Sequence, residues 1–162
     1  MKLKNEIVCR SESEATTALL GRLIGRNLPR GSLVALIGPM ASGKTALCRF
    51  IFMERGFVKG FCSPTYTIIN KYTNGESIGY HIDASRLDSE YELYVQGFSD
   101  FAEDADIVAI EWADMAEGIL SSADITIRIE PLGENSRLIR IGTKSKDLYR
   151  ALQEGIHEST GF

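Results

Sequence analysis

The eight residues Gly38-Pro39-Met40-Ala41-Ser42-Gly43-Lys44-Thr45 constrain this chain more than any other stretch. They satisfy the pattern GxxxxGK[ST]. An unbroken apolar run, Leu33 to Ile37, leads into them, and a predicted helix from Lys44 to about Arg55 follows, ending at Gly56. A strand, a glycine-rich loop and a helix in that order form the context in which the pattern cradles phosphate. The glycines let the backbone wrap close to an anion with its N–H groups turned inward. The helix start adds a partial positive charge. In this chemistry Lys44 is the candidate for the β- and γ-phosphates, and the Thr45 hydroxyl is the candidate ligand for Mg²⁺. Gly38, Ala41, Ser42, Gly43 and Ala46 complete the expected nucleotide cradle.

A second constellation supports the first. Ile107-Val108-Ala109-Ile110 is a fully apolar run that ends in Glu111. Ligands of open parallel sheets bind at the carboxyl ends of strands. Strands at 33–37 and 107–110 therefore bring Thr45 and Glu111 to one edge, the layout of a Walker B acid. A carboxylate there holds Mg²⁺, directly or through water, or orients an attacking water. Asp83, ending His81-Ile82-Asp83, is a candidate second acid, although Asp is also a common turn residue. His81 reads as a strand histidine with a satisfied ring and receives no chemistry. Trp112 either covers the nucleotide or a partner surface, or belongs to the core. Ser63-Pro64-Thr65 reads as a loop, or as a switch whose Thr65 senses phosphate.

The 162 residues fit one domain, expected over 1–156 with a frayed tail at 157–162. A formal charge of -4 excludes a generic nucleic-acid coat, which carries a basic excess. Three cysteines without a CxxC pair predict reduced thiols. No apolar run approaches the roughly 18 residues of a membrane span, and no apolar segment follows the basic start, so a cytoplasmic protein is expected.

The remaining elements follow from periodicity. Glu6 to Cys9 reads as an edge strand. Ser11 and Glu14 are spaced as a capping box for a helix whose face is Ala15, Leu19, Leu23 and Leu28. The stretches 66–72 and 77–83 read as a hairpin around Asn74-Gly75. Ser89 to Val95 reads as a short helix closed by Gly97. Ile125, Ile127 and Ile129 alternate with polar residues and pair with 138–141. A closing helix is expected over 146–156.

Taken in order, Gly38 to Thr45, Ser63-Pro64-Thr65-Tyr66-Thr67, His81-Ile82-Asp83-Ala84-Ser85-Arg86-Leu87 and Ile110-Glu111-Trp112 resemble the TsaE (YjeE) family. Its members carry G-D-L-G-A-G-K-T, S-P-T-[FY]-T, H-x-D-x-Y-R-L and an apolar run ending E-W. The resemblance covers about residues 10–142. It implies an α/β P-loop NTPase fold with a mixed central sheet flanked by helices. It implies ATP/ADP and Mg²⁺ as ligands and weak ATPase activity. The implied role is accessory to threonylcarbamoylation of the adenosine next to the anticodon, with TsaB and TsaD as partners and tRNA reached through that pair. Carried over, Lys44 binds phosphate, Thr45 and Glu111 serve the metal, and Asp83 and Glu111 serve hydrolysis. Thr65 lies in a switch-like segment and Trp112 lies beside the site. Which of Asp83 and Glu111 positions the water stays open.

The sequence departs from the family pattern at Pro39, Met40, Ala41 and Ser42 of the loop, which replace Asp, Leu, Gly and Ala, and at Ser85. Pro39 offers no N–H to a phosphate, and Ala41 stands where glycine is usual. Ser85 replaces the usual tyrosine. Two other readings stay in view. One is a small-molecule P-loop kinase, which needs an arginine-bearing lid. Arg128, Arg137 and Arg140 fall in or beside strands, and no lid is legible. The other is a nucleotide-dependent binding module without turnover.

Overall fold

The computed structural model describes residues 5–61, 67–159 and 162. Its strands are β1 (Glu6–Ser11), β2 (Ser32–Ile37), β3 (Ile69–Thr73), β4 (Ile78–Asp83), β5 (Ile107–Glu111), β6 (Ile125–Pro131) and β7 (Arg137–Thr143). Its helices are α1 (Glu14–Asn27), α2 (Lys44–Glu54), α3 (Tyr91–Val95), α4 (Phe98–Asp104), α5 (Glu117–Ser122) and α6 (Lys146–Glu158). The strands form one sheet in the order β1-β7-β6-β2-β5-β4-β3. The four central strands are parallel, with β2 between β6 and β5 and β4 beyond β5. The edges are antiparallel, β7 and β1 on one side and β3 on the other. This is the mixed α/β P-loop architecture.

Alternation along the central strands explains the two cores. Val34 and Leu36 join Ile107 and Ala109 on one face, with Leu20, Ile24, Leu47 and Ile51 from α1 and α2. Ala35 and Ile37 join Val108 and Ile110 on the other, with Leu93, Phe98 and Ile119 from α3, α4 and α5. A strand buried on both faces has no polar positions, which is why β2 and β5 are nearly continuous apolar runs. Each fully buried Leu or Ile contributes roughly 1.5–3 kcal/mol.

The face of α1 differs from the expected one. Thr17, Leu20, Gly21, Ile24 and Gly25 are buried, and Leu19 is 47% exposed. The glycines decide this. A Cβ at Gly21 would lie 2.5 Å from Phe50 Cβ, and one at Gly25 would lie 2.7 Å from the Ile51 carbonyl. The helix therefore packs on α2 through its glycines; of the expected face, Leu28 is buried and Leu23 packs against the core, whereas Ala15 and Leu19 face outward.

Other boundaries shift for local reasons. The α1 N-cap is Ser13, whose Oγ accepts from Thr16 N at 3.1 Å, so the Ser11–Glu14 capping box does not form. Ser11 instead extends β1, and its Oγ lies 2.8 Å from Thr17 Oγ1. Gly97 ends α3 and also opens α4, which the sequence reading missed along with α5. The hairpin strands begin later than expected, at Ile69 and Ile78. The closing helix runs to Glu158 and includes His157, so the expected frayed tail is helical at its start.

Candidate functional site: a phosphate loop facing a buried Glu–Thr–His cluster

The topology sets the site. In register, Leu36 of β2 and Asp83 of β4 both lie opposite Glu111 of β5. The loop leaving β2 therefore opens level with two acids. Gly38 has no room for a side chain, since a Cβ would lie 2.5 Å from the Ile129 carbonyl and 2.8 Å from Ser42 Oγ. Gly43 is left-handed (φ 104) at the N-cap of α2. Ala41 is also left-handed (φ 60), where an L-residue costs about 1–2 kcal/mol.

Thr45, in the first turn of α2, donates from Oγ1 to the Glu111 carboxylate at 2.7 Å and 3.0 Å. Glu111 is buried, and its Oε1 also lies 2.7 Å from His81 Nε2. Since a carboxylate only accepts, His81 donates through Nε2. Its Nδ1 is a buried atom without a hydrogen-bond partner among the described residues, as is Ser42 Oγ. Lys44 is 4% exposed. Its Nζ donates to the Gly38 and Pro39 carbonyls, each at 2.8 Å, and lies 4.1 Å from the centre of the Trp112 ring. Burial pulls the Lys44 ammonium below its ordinary value, against the opposing pull of Glu111, Asp83 and Asp114. Trp112 holds the left-handed conformation (φ 56), an outlier for a bulky side chain and a mark of local strain. Buried Cys48 stays a neutral thiol, held there first by desolvation and then by the Glu111 charge.

Met40, Ala41, Ser42, Gly43, Lys44, Thr45 and Ala46 form one wall of a cavity of about 370 Å³. Asp83, Ser85, Glu111 and Trp112 form the other. Asp83 is half-buried, and its Oδ1 accepts from Ser85 N at 2.9 Å. Thr65 lies outside the described residues. Among the described residues, no group of three or more His, Cys, Asp or Glu could hold a metal. Mg²⁺ keeps several waters and takes one or two protein oxygens plus phosphate oxygens. The Thr45 hydroxyl and the Glu111 carboxylate are such hard oxygen donors.

Two contributors carried no site role in the sequence reading. His81 is one: alternation puts it on the same side of β4 as Asp83, but only the register with β5 brings it to Glu111. Arg137 is the other. Its Nε donates to the Ser42 carbonyl at 3.0 Å, and a Cβ on Gly43 would lie 3.2 Å from that nitrogen. No local sequence signal marks Arg137, because the contact spans 95 residues.

Known proteins are similar to this chain. The crystal structure of YdiB from Bacillus subtilis superposes with a TM-score of 0.71 over 98% of each chain at 19% identity, a likeness of fold. The tRNA threonylcarbamoyladenosine biosynthesis protein TsaE of Rickettsia felis is 32% identical over 142 residues, covering 83% of this chain and 79% of the relative. The protein of the same name from Treponema pallidum is 31% identical, covering 82% of this chain and 98% of the relative. A sequence model of the family described as "Threonylcarbamoyl adenosine biosynthesis protein TsaE" matches residues 11–139, and with that match the chain belongs to the TsaE family.

Proposed function

We propose that this protein is the Mg²⁺-dependent ATPase of tRNA threonylcarbamoyladenosine biosynthesis, acting with the TsaB–TsaD pair in the cytoplasm. The carrying observation is the convergence of Lys44, Thr45 and Glu111 on one cavity at the end of β2 and β5. Lys44 exchanges two neutral carbonyls for the anionic oxygens of a polyphosphate. Thr45 offers its oxygen to the metal while its O–H keeps donating to Glu111, and this fixes the hydroxyl's orientation. When bound, Mg²⁺ neutralises charge on the phosphate oxygens. Glu111 is committed to Thr45 and His81, so Asp83, half-buried on the facing wall, is the better placed acid to orient the water. The ammonium of Lys44 stabilises charge as the terminal phosphate leaves.

Hydrolysis is then accessory to the transfer chemistry on tRNA. With a formal charge of -4, the chain reaches tRNA through its partners and not by strong direct binding. Among the described residues, no helix is long and apolar enough to cross a membrane. The test is reconstitution: modified adenosine on tRNA is measured with the TsaB–TsaD pair, ATP and Mg²⁺, with and without this protein. Modification that depends on wild-type protein and fails with Lys44→Ala supports the assignment. Equal modification without the protein contradicts it.

A further inference from the structure

The charge of this chain is unevenly spread. Residues 87–127 hold eleven of its 22 acidic residues and no Lys, Arg or His. That stretch supplies α3, α4 and α5, which cover one face of the sheet. The face made by α1, α2 and α6 mixes both signs. Arg86, just before the stretch, donates to the Thr67 carbonyl at 3.1 Å.

The acidic face also carries an apolar patch. Tyr91, Tyr94 and Val95 stand at i, i+3 and i+4 of α3, the spacing of one helix face. They are 70%, 43% and 68% exposed, whereas Leu93 is buried. Gly118 N donates to Glu90 Oε2 at 2.8 Å, which holds the start of α5 against the start of α3 and brings exposed Met115 to the same end. A helix face turned to solvent is ordinarily polar. Clustered tyrosine and aliphatic side chains there mark a contact surface. Exposed Asp88, Asp114 and Glu117 border the patch in sequence. The patch adjoins the phosphate site, because Met115 N donates to the carbonyl of Trp112, which lines that cavity.

We propose that this face docks a protein partner whose own surface is basic around an apolar recess, and that this partner is the TsaB–TsaD pair. The inference rests on the partner reading above and adds the surface that makes the contact. Acids without neighbouring cations repel nucleic acid and anionic lipid, and attract lysine and arginine on a partner. The tyrosines and Val95 form the dry centre of such a contact, and the acids form its rim. A partner seated here lies beside Trp112 and the mouth of the phosphate site.

The experiment is calorimetric titration of the TsaB–TsaD pair, with ATP and Mg²⁺, by wild type, Tyr91→Ala/Val95→Ala, Glu117→Gln and Arg150→Glu. All four positions are exposed, and Arg150 lies on α6, on the opposite face. An unchanged thermal unfolding transition verifies each fold. Phosphate release by each variant alone should stay within about twofold of wild type. The double variant should bind the pair about tenfold or more weakly. Glu117→Gln should lose about threefold at low salt and nothing at high salt. Arg150→Glu should bind as wild type does. A folded double variant that binds the pair normally, or an Arg150→Glu that loses as much as the double variant, overturns this docking face while the partner reading stands. A double variant that binds the pair normally but loses a self-association seen for wild type in sedimentation gives the face to a second copy, and overturns the proposal too. Wild-type protein that does not bind the pair overturns both readings.

Discussion

Strand β5 carries a buried acid near each end, and the two ends differ. Asp106, just before the strand, is 6% exposed and fully engaged. Its Oδ2 lies 2.6 Å from Arg55 Nε and its Oδ1 lies 3.0 Å from Arg30 Nε. Arg55 in turn caps the end of α1, donating from Nη1 to the Gly25 and Leu28 carbonyls. The backbone of Asp106 is also paired on both sides, with Gly31 and Ile78. Glu111, at the other end, shares one oxygen between Thr45 and His81. Around it lie a lysine folded onto carbonyls, two buried polar atoms without partners among the described residues, and left-handed backbone at Ala41 and Trp112. Both acids are buried and both have cationic or hydrogen-bonding neighbours. What separates them is completeness. A saturated charge network holds elements together. An unsaturated, strained one has capacity left for a ligand.

The largest expected effect falls at the saturated end. Arg55→Ala leaves Asp106 buried with only the exposed Arg30 beside it, and should cost about 3–5 kcal/mol of stability in denaturant titration. Activity per folded molecule should persist. A folded, stable variant without activity would erase the contrast between the two ends.

At the other end the sign reverses. Glu111→Ala should lower ATP turnover by about a hundredfold or more while the fold and ATP binding persist. Lys44→Ala should lose ATP binding itself. Normal turnover in either folded variant would remove the site.

A smaller effect sharpens the boundary between the two kinds of network. His81→Leu deletes the donor to Glu111 and should cost about tenfold in turnover, whereas His81→Gln, which keeps an N–H in reach, should recover most of it. Equal losses in both variants would make His81 a packing residue only.

The smallest effect probes the strain. Ala41→Gly relieves about 1–2 kcal/mol of left-handed backbone and adds about 0.4–1 kcal/mol of unfolded-state entropy. The net should be a stabilisation of about 0–1.6 kcal/mol in thermal unfolding. A clear destabilisation would mean that the Ala41 methyl packs usefully in the loop.

Much of the fold was legible because its signals are local. The loop from Gly38 to Thr45 sits where its glycines and flanking apolar run require, and β5 ends at Glu111 as its composition implies. The hairpin at Asn74-Gly75 forms because Asn74 Oδ1 accepts from Glu76 N and Ser77 N. What stayed hidden depends on partners far away in the chain. The face of α1 is set by the close approach of Gly21 to Phe50. His81 and Arg137 gain their places only from strand register, so neither is visible in its own neighbours in sequence. Helices α4 and α5 are too short for periodicity to mark them.

The most direct test of the whole account is Mg²⁺-dependent phosphate release from ATP, first with this protein alone and then with the TsaB–TsaD pair and tRNA. Slow release alone, marked stimulation by the pair, and loss of both in Glu111→Ala are the expected results. Phosphate passing to an added small acceptor, with no stimulation by the pair, would contradict the account.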